Sequence, residues 1–300
     1  MRILAAIVTY NRVALLERCI DHVLSQTRPP DELLVVNNSS TDGTVEMLER
    51  KRIKYVTQPN VGSAGGWKRC IDEAIASKCD AVWLMDDDGY PDRDALRILE
   101  ASLQPGVSCV SSVVVRENSP DTFVFPFPLL DQRGLPVLLR RKRKIARLSE
   151  LEKLAGGPTY PFVHLFNGAL VSTAVVRQIG NVESDFFLMG DEVDFFMRLR
   201  RAGPVISDLR ARHLHPDVSR RPLDAVKLYY YVKNTIILNG RYFDKKPARN
   251  FLAVVAALHR IARRNSLGEA LSYVAGSRAP ILWKAVRRGL NGQIGKDFDA

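Results

Sequence analysis

"AVWLMDDDGYP" (81–91) is an apolar, β-prone run that stops on three aspartates, Asp86, Asp87 and Asp88. A short apolar run bounded by turn residues reads as a strand buried on both faces. The charges at its end have two readings. They form a solvated turn leading into a helix with Asp92 or Asp94 near its start, or something positive sits beside them. Three neighbouring carboxylates without a cation repel one another, and one tends to hold its proton. The Asp86-x-Asp88 spacing offers hard oxygen ligands to Mg²⁺ or Mn²⁺, ions that keep waters and bridge substrate phosphates.

The flanking sequence repeats the pattern. "ILAAIVTY" (3–10), "LLVVN" (33–37), "IKYVT" (53–57) and "VSCVSSVVV" (107–115) read as strands, with 12–26, 42–50, 64–77 and 92–103 as helices between and after them. Such alternation predicts an α/β fold, a Rossmann-like, mostly parallel sheet with helices on both faces. Ligands on these sheets bind beyond the carboxyl ends of the strands. The segments there, 9–12, 37–42, 58–66 and 86–88, are polar, glycine-rich or acidic.

Residues 116–165 lose periodicity, carry many prolines and hold the basic run "RRKRKIAR" (140–147), which predicts a long, partly mobile loop or lid. The basic run either closes over a diphosphate or is solvated. Order returns at "FNGALVSTAVVRQIG" (166–180) and "DFFLMGDEVDFFMRLRRAG" (185–203), the latter a loop entering a helix that ends at Gly203 before Pro204.

Composition narrows the class. With 46% hydrophobic and 26% charged residues the 300-residue chain is globular. Cys19, Cys70, Cys79 and Cys109 are scattered, without C-x-x-C pairs or histidines at zinc spacing, which predicts a reduced, cytoplasmic protein without structural zinc. No apolar run reaches the roughly 18–20 residues that span a bilayer. "ILAAIVTY" reads as a strand rather than a signal peptide.

Most of the net charge of +11 sits at one end: 12 Lys and Arg stand against 4 Asp and Glu from Arg241 onward. On a helical wheel Phe251, Val254, Val255, Leu258, Ile261 and Ala262 oppose Arg249, Arg260, Arg263 and Arg264, and Leu282, Trp283, Val286 and Leu290 oppose Lys284, Arg287 and Arg288. A cationic helix of this kind lies in a membrane interface, at about 1 kcal/mol per basic residue near anionic lipid. The expected partner is therefore the cytoplasmic membrane surface, through residues 249–290, with the protein peripheral at its inner face. The alternative is a helical cap packed on the catalytic domain or on a partner subunit of a homo-oligomer. Basic tails also bind nucleic acid, but no nucleic-acid motif accompanies this one, and no nucleic-acid partner is expected.

Six motifs then occur in order: "IVTYNR", "VVNNSSTDGT", "QPNVGSAGGW", "MDDDGYP", the pair "FNGALVSTAVVRQIG" and "FFLMGDEVDFFMRLRRAG", and "ARHLHP". Together they resemble family 2 inverting glycosyltransferases of the GT-A fold, and the D-D-D and G-D-E-V-D variants look most like the bacterial galactofuranosyl- and rhamnosyltransferase branch. The resemblance covers roughly residues 1–240. It implies a GT-A catalytic domain over 1–240, divided into a nucleotide-sugar-binding half (1–115), the loop or lid (116–165) and an acceptor and catalytic half (166–240), followed by the basic helical tail 241–300.

Carried onto this sequence, the resemblance implies that Thr9, Tyr10 and Arg12 border the nucleotide. Asn37 stands where an acidic residue commonly contacts the base. Asn60, Gly62, Gly65 and Gly66 let the backbone approach the donor, Asp86 contacts ribose or metal, and Asp88 is the main ligand of Mn²⁺ or Mg²⁺. His215 is a further metal ligand, with His213 second. Glu192 is the general base, with Asp191 as fallback and Asp194 orienting or capping the helix; a helix N-terminus favours such acids in any case. Asp194, Tyr229, Tyr230, Lys233 and Asn234 fall on the acceptor side, while Trp67 and Trp83 read as core. The implied reaction is inverting transfer from a nucleotide-diphosphate sugar, UDP-galactofuranose or a similar donor, to a hydroxyl of a lipid-linked or polysaccharide acceptor in cell-surface glycan synthesis. The alternatives are a dTDP-rhamnose-dependent rhamnosyltransferase, a nucleotidyltransferase, for which "TYNRVALLERC" lacks the glycines, and a non-catalytic sugar-nucleotide binder.

Overall fold

The computed structural model describes residues 1–138, 142–218 and 221–298, and the chain divides into two compact units. Unit 1 comprises Met1–Val61, Gly66–Asn181 and Arg198–Asp217; unit 2 comprises Gly62–Gly65, Val182–Met197 and Val218–Ala300.

The elements run β1 (Ile3–Thr9), α1 (Val13–Leu24), β2 (Glu32–Asn37), α2 (Thr44–Lys51), β3 (Lys54–Thr57), α3 (Gly62–Ala76), β4 (Ala81–Asp86), β5 (Tyr90–Pro91), α4 (Ala95–Ser102), β6 (Cys109–Arg116), β7 (Ser119–Pro128), β8 (Lys144–Arg147), α5 (Leu148–Ala155), β9 (Thr159–Tyr160), β10 (Asn167–Ser172) and α6 (Thr173–Ile179). After α7 (Asp191–Ala202) comes β11 (Val205–His215), and the chain continues as α8 (Ala225–Tyr242), α9 (Lys246–Arg264), α10 (Leu267–Ala275) and α11 (Ala279–Leu290).

In unit 1 the sheet order is β3-β2-β1-β4-β10-β6-β11-β5, with β7 and β8 continuing from β6 and β9 on β11. The pairs β1–β2, β2–β3, β1–β4 and β6–β11 are parallel, while β10 is antiparallel to both β4 and β6. This is the expected α/β architecture. Strands β1 and β4 are apolar and buried almost throughout because helices cover both faces. Ile3, Ala5, Ile7, Trp83 and Met85 pack with Leu16, Ile20 and Val23 of α1, and Trp67 lies flat on Phe166 at 4.4 Å. Trp67 and Trp83 are core residues, as expected.

The stretch 116–165 departs from the expected loop. "SPDTFVFPFP" forms β7, which pairs with both β6 and β8, and Phe123 and Phe127 bury under Leu148 and Leu151. Alternating Thr, Phe and Val suit a half-buried strand, and the intervening prolines hid that pattern. Of the basic run, Arg140 and Arg141 lie outside the described residues, and Lys142 pairs with Glu150.

Unit 2 is built on α8. Leu228, Tyr229, Tyr230, Val232 and Ile236 meet Ala257 and Ile261 of α9, Tyr273 of α10, and Leu282 and Ala285 of α11. Much of the tail's apolar face is thus internal. Among the described residues no helix is long and apolar enough to cross a membrane.

Candidate active site

The strand order changes direction around β1 and β4, and the acidic run leaves the sheet there. Val8 is in register with Asp86, so Thr9 and Asp87 follow side by side on adjacent parallel strands. Thr9 Oγ1 donates to Asp87 Oδ2 at 2.8 Å. Arg12 Nη1 reaches Asp87 Oδ1 at 2.9 Å and Asp88 Oδ2 at 3.1 Å. Burial pushes the Asp87 carboxyl up, while Arg12 and Thr9 draw it back down. Arg12 is therefore one positive partner the aspartates demand. Arg18 braces the same turn through its backbone: it donates to the Asp88 carbonyl at 3.1 Å, pairs with Glu117 at 3.0 Å and lies over the Tyr90 ring.

Asp88 faces the end of β11. Its Oδ1 is 2.9 Å from His215 Nε2, and His215 Nδ1 is 2.7 Å from the Pro216 carbonyl oxygen. That carbonyl accepts only, so Nδ1 carries a proton, and in a neutral ring Nε2 is a lone pair aimed at a carboxylate oxygen. Two lone pairs at this distance require a proton or a cation to join them. The donor set, one carboxylate oxygen and one imidazole nitrogen whose other nitrogen is anchored to a backbone carbonyl, suits a divalent cation. Two ligands at right angles with bonds of about 2.1 Å lie about 3 Å apart, so the pair fits Mg²⁺ or Mn²⁺. Among the described residues no three His, Cys, Asp or Glu converge as a metal cage. Of the expected set, Asp88 and His215 are in direct contact, and Asp86 ends strand β4 two residues before Asp88.

His213 lies beside this pair but is closed off. Its ring is buried between Gly89 and Gly168; a Cβ on Gly89 would come 2.3 Å from Nε2. Burial drives its pKa down to about 3. It is a packed neutral ring.

The nucleotide-side residues divide. Tyr10 is 48% exposed and available to a ligand. Asn37, expected at the base, is fully buried: its Oδ1 accepts from Ser40 N at 2.9 Å and its Nδ2 donates to Thr57 Oγ1 at 3.3 Å. It shapes its own turn, which corrects the base-contact expectation. Asp42 caps α1 from across the loop, accepting from Val13 N at 2.8 Å. Asn60 is half-buried. A Cβ on Gly66 would sit 2.7 Å from Val8 Cγ1, so that glycine is already required for α3 to lie on β1. In unit 2, Gly62 has φ +78° and a Cβ there would strike the Phe187 carbonyl, while Gly65 is buried.

The acid turn belongs to unit 2. Phe187 and Met189 both have φ near +61°, and Gly190 has φ +98°. Strained backbone of this kind persists only where the surroundings hold it. Asn234 of α8 does so: its Nδ2 lies 3.1 Å from the carbonyl oxygens of Phe186 and Leu188 and 2.6 Å from that of Met189. Helix α7 then starts with Asp191, Glu192 and Asp194 in its first turn. Asp191 is buried, and desolvation lifts its pKa to about 6, against backbone hydrogen bonds that lower it. Asp194 is buried and accepts from Arg241 Nη1 at 3.1 Å and Tyr242 Oη at 2.7 Å. Glu192 is partly exposed on the same turn.

The four acceptor-side expectations on α8 are corrected by burial. Tyr229, Tyr230, Lys233 and Asn234 are all fully buried. Lys233 Nζ pairs with Asp297 at 2.5 Å and donates to the Gly295 carbonyl at 2.8 Å; Tyr230 Oη accepts from Asp297 N. The segment 295–298 therefore covers Tyr229, Tyr230 and Lys233, while Asn234 faces the carbonyls before the acid turn. Arg18 and Pro216 were missed. A run of like charges asks for a cation nearby, a signal that was open to reading for Arg18 and went unused; nothing in the sequence marked the Pro216 carbonyl.

Residues 5–158 match the glycosyl transferase family 2 family model. Galactofuranosyltransferase GlfT1 of Mycolicibacterium smegmatis is 33% identical over 219 residues, covering 71% of this chain and 70% of that protein. GlfT1 of Mycobacterium tuberculosis H37Rv is 34% identical over 223 residues, with 71% and 70% covered. Among solved structures, mannosyltransferase PcManGT from Pyrobaculum calidifontis in complex with GDP-Man and Mn²⁺ aligns with a TM-score of 0.56 at 19% identity, covering 97% of this chain and 84% of that one. S. aureus TarS 1-349 in complex with UDP-GlcNAc aligns at 0.55 with 15% identity, covering 97% and 81%. These structural likenesses show the fold. The chain belongs to glycosyl transferase family 2 and is a glycosyltransferase.

Proposed function

We propose that the protein transfers galactofuranose from UDP-galactofuranose, with inversion, to a hydroxyl of a lipid-linked or polysaccharide acceptor at the inner face of the cytoplasmic membrane. The observation that carries the donor-site reading is the Asp88–His215 pair, whose opposed lone pairs suit a divalent cation. The sugar is argued from the galactofuranosyltransferases to which 71% of the chain is similar.

Glu192 takes the proton of the acceptor hydroxyl as its oxygen attacks the anomeric carbon; the bond to the diphosphate breaks, and the configuration inverts in one displacement. Burial lifts the Asp191 pKa to about 6, so only below that pH does this neighbour hold its proton and spare Glu192 a second adjacent charge. Arg12 and Thr9 hold Asp87, and Arg18 holds the Asp88 carbonyl, so the turn bearing Asp88 is fixed before substrate arrives. Asp88 and His215 would hold Mn²⁺ or Mg²⁺, which when bound would supply Lewis-acid stabilisation of the diphosphate leaving group. Asp86, at the end of β4, and the exposed Tyr10 contact the nucleotide. Phe251, Leu267, Leu271 and Trp283 of unit 2 are 59–69% exposed among basic side chains, which supports peripheral attachment to anionic lipid.

A panel of nucleotide sugars, each with Mn²⁺, tests this by thermal shift, because a ligand that binds only the folded state raises its apparent stability. UDP-galactofuranose is expected to give the largest shift, and EDTA to remove it. A larger shift with dTDP-rhamnose would assign the rhamnosyl alternative instead.

A further inference from the structure

Helices α8 to α11 of unit 2 enclose an open groove of about 850 Å³. Its walls are Ile236, Val254, Leu258, Tyr273, Leu282 and Val286. Its rim carries Phe251 and Trp283, each 69% exposed, with Leu290 at 64% and Val274 at 53%. Apolar side chains at such exposure around one concavity mark a site for an apolar ligand rather than ordinary surface.

The groove is not apolar throughout. Arg241 and Lys246 line it as well. Arg241 also reaches Asp194 at 3.1 Å, on the first turn of α7 with Asp191 and Glu192. The cationic edge of the groove is therefore joined by one guanidinium to the turn that carries the proposed base. An apolar trough with such an edge matches an amphiphile with one long hydrocarbon chain and a phosphate head. A bilayer surface alone requires no trough.

We propose that this groove binds the lipid chain of the acceptor, the chain between α9 and α11 and the phosphate against Lys246 and Arg241, so that the attached saccharide is presented toward the α7 acid turn. The proposal rests on the lipid-linked acceptor of the preceding reading. Burial of each further CH₂ of the chain adds to binding, which makes affinity depend on chain length.

The probe is geranylgeranyl phosphate, titrated below its micelle concentration and followed by Trp283 fluorescence and calorimetry. One saturable site per chain is expected, weakened at least tenfold by Leu258→Trp, which fills the groove, and by Phe251→Ser on the exposed rim, which leaves the core intact. Lys246→Ala should weaken geranylgeranyl phosphate but not geranylgeraniol. Non-saturable uptake equal in wild type and both groove variants would overturn the proposal. So would equal binding of dioleoyl-phosphatidylglycerol vesicles and the single-chain phosphate with no loss in the variants, which would leave a membrane surface only. UDP-galactofuranose binding, measured in parallel, separates the outcomes: its retention alongside absent chain binding overturns the groove and leaves the donor reading standing.

Discussion

His215 Nε2 stands 2.9 Å from Asp88 Oδ1 while the same ring is anchored through Nδ1 to the Pro216 carbonyl at 2.7 Å. The anchor puts the Nδ1 proton on the Pro216 carbonyl, and the Nε2 face turned to Asp88 suits a divalent cation. Asp88→Asn and His215→Ala should each lower Mn²⁺-dependent UDP affinity by at least tenfold in calorimetry. Affinity for UDP measured in EDTA should barely change. Equal Mn²⁺ enhancement in wild type and both variants would place the ion elsewhere.

Arg12 offsets two buried carboxylates, Asp87 and Asp88. Removing one partner of a buried ion pair leaves an uncompensated charge and costs about 3–5 kcal/mol; Arg12 is partly exposed, so about 1–2 kcal/mol is expected for Arg12→Ala. Chemical denaturation at pH 7 and pH 5 checks it. The loss should shrink at the lower pH as Asp87, whose pKa burial raises, takes up a proton.

Asn234 holds three carbonyl oxygens of the strained segment before the acid turn. Asn234→Ala orphans buried acceptors, at about 1–3 kcal/mol, and frees Met189 and Gly190 to relax. We expect kcat to fall more than tenfold with KM for the donor within twofold. Asn234→Gln should not rescue, since a Cβ on Gly190 would already come 2.8 Å from Asn234 Cβ and the site has no room for a longer side chain. A KM effect alone would show that the loop serves donor binding instead.

Asp191 carries its own pH signature. Its folded pKa of about 6 lies above the ordinary 3.8, so the native state binds the extra proton between those values. Its contribution to stability is present below about pH 4 and is lost as pH rises through 6. Relative to wild type, Asp191→Asn should therefore be stabilised at pH 7.5, by up to about 3 kcal/mol from the shift, and the gain should vanish by pH 4. Urea midpoints at the two pH values decide it; a pH-independent difference would mean that Asp191 titrates alike in the folded and unfolded protein.

Sequence legibility followed physical range. The strands of the first 115 residues were readable because each is a local apolar run, and the acidic turn because it breaks one. β7 was not: its prolines mask a period of two, and its partners β6 and β8 are set by tertiary pairing. The same limit governs the site. Asp88, His215 and the α7 acids were marked by residue type and order. The burial of Lys233 by Asp297, 64 residues onward, and the loss of Asn37 to its own turn depend on contacts that no local pattern carries.

The decisive measurement is transfer by Glu192→Gln. With Mn²⁺ and UDP-galactofuranose, the variant should bind donor within about threefold of wild type, yet its release of UDP dependent on added acceptor should fall by at least a hundredfold, the scale expected when a general base is removed. Full acceptor-dependent turnover by Glu192→Gln would contradict the assignment of the base and, with it, the mechanism proposed for this chain.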